Sequence, residues 1–255
     1  MKMNRKPYVP HLAVYLLPFL AFAAAPSANA ATAYTAEAGV KLSITGISNT
    51  SNPGSAISGL DISGSFVLDP ESQFEKNGNA TGDLDFNPSS LPATPSIGDS
   101  FSQTLQVSGN SISGEVSSYH FSTGILQLTN SSSNEYVVDF SMDYDLAISA
   151  SGEASDDSDA GVSLELEYVY PGGIEDLVSL IADLDDPSAN AKNSVSFSVT
   201  VAPGTTDKEY NTDLVVDGFA VSAVPIPAAV WLLGSGILGL AGLARTQTSA
   251  STRLH

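Results

Sequence analysis

Apolar and polar residues alternate without interruption in the segment Val195-Ser196-Phe197-Ser198-Val199-Thr200-Val201. An alternation of period two places one set of side chains in a core and the other in water, which predicts a half-buried β-strand. The same alternation recurs, between turn-forming Gly, Asn, Pro and Ser residues, in segments 40–44, 62–68, 101–107, 125–128, 136–148, 162–168 and 214–221. Strands this numerous predict an all-β fold, an antiparallel β-sandwich or jelly-roll-like domain.

Two segments depart from the alternation. Residues 78–99 are rich in Asn, Pro, Ser and Asp, which predicts a long loop across one edge of the sandwich. Residues 174–185 carry apolar side chains at helical spacing, with Glu175 and Asp176 near the start, where carboxylates favour a helix N-terminus. This spacing predicts one short amphipathic helix whose apolar side packs on the sheet.

The N-terminal residues 1–30 have the three parts of a secretory signal peptide. A basic start is followed by an apolar segment, residues 12–25, and by a small-residue cleavage site containing Ala28 and Ala30. We expect signal peptidase to cleave after Ala30, so that Ala31 becomes the first residue of the exported protein.

The C-terminal part contains the segment Val224-Pro225-Ile226-Pro227-Ala228-Ala229-Val230-Trp231, followed by apolar residues as far as Ala244. An apolar run of about 17–20 residues can cross a bilayer as a helix. Pro225 and Pro227 would break such a helix, so they mark an extended approach to it. Trp231 suits the headgroup region, and Arg245 provides a cytoplasmic stop. The pattern predicts a transmembrane helix over residues 228–244 and a polar tail, residues 246–255.

Residues 224–245 resemble the PEP-CTERM sorting signal in its VPxPA variant. Proteins of this family are exported by Gram-negative bacteria that make exopolysaccharide, and an exosortase processes them near the motif. The resemblance implies that this enzyme reads Val224, Pro225 and Pro227, while the segment from Ala228, including Trp231 and Arg245, holds the motif at the membrane. It also implies an inner-membrane intermediate, and then a location at the cell surface or in the extracellular matrix.

Two features differ from the usual family signal. Ile226 replaces the acidic residue of the V-P-E-P form, as the variant allows, and the usual basic cluster is reduced to Arg245. An ordinary C-terminal membrane anchor and a buried apolar helix therefore stay open as alternatives for this segment.

The segment between the two signals, residues 31–223, is strongly acidic. It contains all 28 Asp and Glu residues of the chain against four lysines, which gives a net charge of −24. This charge repels nucleic acid and anionic lipid, and it favours divalent cations. The chain has no cysteine, which excludes disulfides, thiol nucleophiles and thiolate metal sites. The length predicts one domain.

Catalytic chemistry has few candidates in this segment. His120 is its only histidine, and its sequence surroundings are those of an ordinary strand, which predicts a solvent-facing side chain rather than the base of a Ser-His-Asp triad. Two pairs of carboxylates share a strand face at a spacing of about 7 Å; they are Asp143 with Asp145, and Glu165 with Glu167. Such pairs leave glycoside hydrolysis open as an alternative to a non-catalytic role.

Acidic residues near position 156 suggest a calcium site. Asp156, Asp157 and Asp159 surround a predicted turn, and Glu167 follows at the spacing of the last ligand of an EF-hand loop. Ala160 lacks the oxygen that this loop requires at its fifth position, so a solvated acidic turn without an ion is the alternative. No other cofactor is predicted.

These observations lead to one expected function and two alternatives. We expect a non-catalytic exported protein of the cell surface or extracellular matrix, processed by signal peptidase and an exosortase-like enzyme. It would associate with exopolysaccharide in a biofilm, and not with nucleic acid. The alternatives are an extracellular hydrolase or lyase acting on polysaccharide, and a calcium-stabilised adhesin.

Overall fold

The structure is a computed structural model, and it describes residues 31–153, 156–168, 173–222 and 233–238. The prediction of an antiparallel all-β fold is confirmed. Within the described residues the chain forms nine strands: β1 (Thr32–Asn49), β2 (Leu60–Leu68), β3 (Gln73–Pro88), β4 (Ser100–Asn130), β5 (Tyr136–Ser151), β6 (Asp157–Tyr168), β7 (Gly173–Asp183), β8 (Ser188–Val201) and β9 (Lys208–Ser222).

All nine strands belong to one sheet, with β7-β6-β9-β4-β1-β5-β8 as the order and β2 and β3 paired to β4. β4 stands in the middle of this order and joins its two halves, because it changes its pairing partner part-way along. Its residues 100–111 pair with β1, whereas its residues 114–128 pair with β9. β3 pairs with β4 across this change.

The sheet folds back on itself at this point into two facing layers. The front layer consists of β8, β5, β1 and residues 100–111 of β4, and the back layer consists of residues 114–128 of β4, β9, β6 and β7. β1 contacts β9 and β6 across the interior, and the two edge strands β7 and β8 also approach one another. The two layers are therefore parts of a single continuous sheet that is nearly closed, because its two edge strands approach one another.

Two glycines lie where β4 changes its neighbour. Gly78 of β3 and Gly114 of β4 are opposite each other in the ladder, and both have positive φ angles, 70° and 125°. A Cβ at Gly114 would lie 2.2 Å from the carbonyl oxygen of Asn77. Only glycine permits this close crossing of the two backbones.

Tyr34 of β1 connects the two layers through the interior. Its ring lies against Gly109 of β4 and Gly218 of β9, and its hydroxyl donates a hydrogen bond to Oγ of Ser118 at 2.6 Å. Strict alternation of buried and partly exposed residues in strands such as β9 supplies the surrounding apolar core.

The predicted amphipathic helix over residues 174–185 is wrong, because this segment is strand β7. The ladder with β6 shifts register between Leu164 and Glu165, which places Leu177 in a bulge beside Val178. Two consecutive apolar residues can then both pack against the core, so the bulge produces an apolar spacing that resembles that of a helix.

The predicted loop over residues 78–99 is wrong in its first half. β3 continues to Pro88, and its inward side chains Leu84 and Phe86 pack against the core. Asp83 and Asp85 alternate with them and point away from it. Pairing with β4 thus overrides a local composition that favours loops, and only residues 89–99 connect the strands.

Candidate functional site

The residues that define the two predicted targeting signals lie outside the described residues. This applies to Ala28 and Ala30 of the predicted cleavage site, although Ala31 is described and exposed, and to the sorting motif Val224, Pro225, Pro227, Ala228, Trp231 and Arg245. Residues 233–238 are helical. Within the part of the chain that the structure describes, no helix has the length and apolarity needed to cross a membrane.

The residues of the predicted calcium loop are not brought together. Asp157, Asp159 and Glu167 lie along the single extended strand β6, and Asp156 directly precedes it. Eight residues of extended chain separate Asp159 from Glu167 by about 26 Å. Among the described residues, no group of three acidic or histidine side chains converges on a metal position. Calcium binding therefore stays a prediction from sequence.

A small acidic pocket of about 200 Å³ lies on the outer side of the back layer. Gly161 forms its floor, and Asp217 of the neighbouring strand leans over it, with Oδ1 2.6 Å from the position that a Cβ of Gly161 would occupy. Asp159 lies in the same pocket. Burial raises the pKa of both carboxyl groups, and the charge of Asp217 raises the pKa of Asp159 further.

Two carboxyl groups with raised pKa values in one pocket are an arrangement found in acid–base catalysis. The sequence did not indicate this pair, because the residues are 58 positions apart and only the register of β6 with β9 brings them together. The carboxylate pairs that the sequence did indicate are different. Asp143 and Asp145 lie exposed on the front layer, whereas Glu165 and Glu167 lie on β6.

A groove of about 510 Å³ crosses the outer side of the front layer. Its polar lining comes from four strands: Lys41 from β1, Ser102 and Thr104 from β4, Asp143 and Asp145 from β5, and Lys192, Asn193 and Ser194 from β8. Gly39 lies between these strands, opposite Asp145 and Thr104, and its missing side chain creates the depression.

Both lysines of the groove lie beside carboxylates. Lys192 Nζ is 2.5 Å from Oδ2 of Asp145, and this ion pair raises the pKa of the lysine. Lys41 is the direct cross-strand neighbour of Asp143 and of Ser102. Lys192 and Asp145 are 47 positions apart, so the sequence alone could not indicate their contact.

His120 is buried, which corrects the prediction of a solvent-facing histidine. Its side chain is 1% exposed, its ring centroid is 4.8 Å from that of Phe74, and neither ring nitrogen has a hydrogen-bond partner among the described residues. Burial lowers its pKa. Without a bond to a hydroxyl or a carboxylate it does not form a Ser-His-Asp triad. The sequence was ambiguous because Tyr119 and Phe121, on the opposite strand face, are also large and hydrophobic.

Burial of His120 gives an expected pH dependence of stability. Below about pH 6.5 the unfolded chain binds a proton at this histidine, whereas in the folded protein burial disfavours the protonated form. The free energy of unfolding is therefore unaffected by His120 above that pH and decreases below it. In this range we expect the free energy of unfolding to fall with decreasing pH more steeply for wild type than for His120→Leu, by up to about 1.4 kcal/mol per pH unit. Urea unfolding of both proteins at pH 7 and pH 5.5 measures the difference. The raised pKa values of Asp159 and Asp217 act in the opposite direction, but they are common to both proteins. An equal change in the free energy of unfolding of the two proteins between pH 7 and pH 5.5 would therefore contradict this role of His120.

Comparison of the chain with protein-family models, with curated proteins and with solved structures found no significant match. The candidate sites therefore rest on the geometry described above.

Proposed function

We propose that this chain is a non-catalytic exported protein of the cell surface or extracellular matrix, delivered by its C-terminal signal and associated with polysaccharide. One observation carries the proposal, the order of three segments along the chain. A predicted signal peptide is followed by an acidic β-domain, and the V-P-x-P-A-A-V-W segment with its apolar continuation comes after that domain. A groove on the front layer supports the polysaccharide part, because exposed hydroxyl, amide and charged groups line it beside apolar surface that a sugar ring can cover.

We expect the double substitution Pro225→Ala, Pro227→Ala to leave an unprocessed precursor in the membrane. Removing both prolines lets the extended approach join the helix, so the processing enzyme no longer meets its motif. The intact mass of protein from membrane and medium fractions of the exporting host measures this effect. For wild type we expect a product that starts at Ala31 and ends within residues 224–227.

The control is Pro92→Ala, Pro95→Ala, two prolines at similar spacing in the connection after β3. We expect this protein to be processed as wild type is. A wild-type product that still carries Arg245 and His255 would make the C-terminal segment a simple anchor. Normal processing of the Pro225, Pro227 variant would remove the sorting signal from the proposal.

A second candidate function is an extracellular hydrolase or lyase acting on polysaccharide. The pair Asp159 and Asp217 favours it, because one carboxyl group with a raised pKa can donate a proton while another acts as base or nucleophile. New reducing or unsaturated ends released from the host's polysaccharide would establish this function, provided that Asp217→Asn abolishes their release and Asp207→Asn, an exposed acid in a loop, does not.

A further inference from the structure

We propose that the groove over Gly39 binds a strand of neutral polysaccharide, an inference that rests on the proposed polysaccharide association and assigns its site. The groove crosses β8, β5, β1 and β4, which at the usual strand spacing is a span of about 14 Å. It runs on the open surface of the sheet, so a long polymer can pass through it without threading an end.

The chemistry of the lining suits a ligand rich in hydroxyl groups. Asp143 and Asp145 accept hydrogen bonds, Lys41 donates them, and the hydroxyl of Thr104 can do both. Lys41 forms no ion pair within the described part of the chain, so its ammonium group is available to a ligand. Other lining hydroxyls are already held in place, since Ser102 Oγ is 3.1 Å from Ser89 Oγ and Ser194 Oγ is 3.0 Å from Ser141 Oγ.

The local charge distinguishes this groove from the rest of the domain. Two of the four lysines in residues 31–223, Lys41 and Lys192, lie here beside two carboxylates, so the groove is locally neutral in a segment of net charge −24. A polyanionic glycan would be repelled by the acidic surroundings, whereas a neutral one would not.

The groove does not have the character of a protein interface. Protein interfaces are centred on large apolar anchors that become buried. Among the described residues, the large hydrophobic side chains that are exposed lie elsewhere, at Ile57, Val67, Ile97, Tyr119, Ile181 and in the helical segment 233–238. The described residues that line the groove include no exposed large hydrophobic side chain, which favours a polysaccharide over a protein.

The substitution Gly39→Val tests the site directly. A Cβ at Gly39 would be 3.7 Å from the carbonyl oxygen of Asp145, an ordinary contact, so valine fits the strand and fills only the groove. The probe is deproteinised, immobilised exopolysaccharide of the exporting host, and the protein is the exported form purified from that host. We expect Gly39→Val to weaken binding at least about tenfold, because the ligand loses hydrogen bonds to the floor and walls.

Two matched controls accompany this variant. Ala147→Val adds methyl groups on the same exposed face of β5 but outside the groove, and we expect it to bind as wild type does. Lys41→Ala and Lys76→Ala change the net charge equally, yet only Lys41 lines the groove. We expect about tenfold weaker binding for Lys41→Ala alone.

The outcomes separate this inference from the function on which it rests. If wild type binds and the Gly39 and Lys41 variants bind equally well, the groove is not the site, while polysaccharide association stands. If wild type binds no deproteinised polysaccharide, the proposed association fails and the groove assignment fails with it. Binding that disappears when the preparation is deproteinised would identify a protein partner and overturn the assignment.

Discussion

We expect Gly114→Val to prevent the domain from reaching its native fold. A β-branched residue at a φ of 125° is strained by about 1–3 kcal/mol, and its Cβ would lie 2.2 Å from the carbonyl oxygen of Asn77. Only separation of β3 from β4 relieves that contact, and β4 exchanges β1 for β9 as its partner at this place. The backbone strain and the lost pairing of β3 with β4 together act against a total stability of only about 5–15 kcal/mol. Soluble yield and circular dichroism measure the outcome.

Gly39→Val is the matched control for Gly114→Val. Both changes replace a strand glycine by the same residue, but at Gly39 the new side chain meets only an ordinary contact. We expect this control to fold and to unfold at nearly the wild-type urea concentration. If the Gly114 variant unfolded at that same concentration, the change of strand partners would not depend on a glycine at this position.

The sequence predicted strands best where alternation is complete, as in β5 and β9. It found β4 only as two short strands, residues 101–107 and 125–128, although β4 is continuous over Ser100–Asn130. Apart from Val116, the connecting residues have glycine or polar groups at inward positions. Gly109 lies beneath Tyr34, and Gly124 lies beneath Phe66, whose ring would be 2.3 Å from an added Cβ. Aromatic rings from other strands fill these places, so the local pattern does not reveal that they are buried.

The candidate sites could be predicted only in part, for a related reason. Alternation correctly places Asp143 and Asp145 on the same exposed side of β5, because this depends on neighbouring residues alone. The contact of Asp145 with Lys192, and that of Asp217 with the floor at Gly161, depend on strand register. Register is fixed by packing over the whole sheet and is not contained in either local segment.

Tyr34→Ala is expected to destabilise the domain by about 3–5 kcal/mol, the usual loss for removing a large buried aromatic side chain. The ring fills space between β1, β4 and β9, and its neighbours Gly109 and Gly218 have no side chains that could move into the cavity. Equilibrium urea unfolding measures the change. Tyr34→Phe keeps the ring and removes only the bond to Ser118, so we expect it to lose about 1–3 kcal/mol.

The hydrogen bond and the ring can be separated by adding Ser118→Ala to Tyr34→Phe. With both polar partners removed, no buried hydroxyl is left unpaired, so the double variant should lose less stability than the sum of the two single changes. If the loss of stability in the double variant equalled the sum of the losses in the two single variants, the two hydroxyls would act independently. If Tyr34→Ala were as stable as Tyr34→Phe, the ring would not be needed to hold the layers together. The close crossing of β3 and β4 at Gly78 and Gly114 would then have to do so instead.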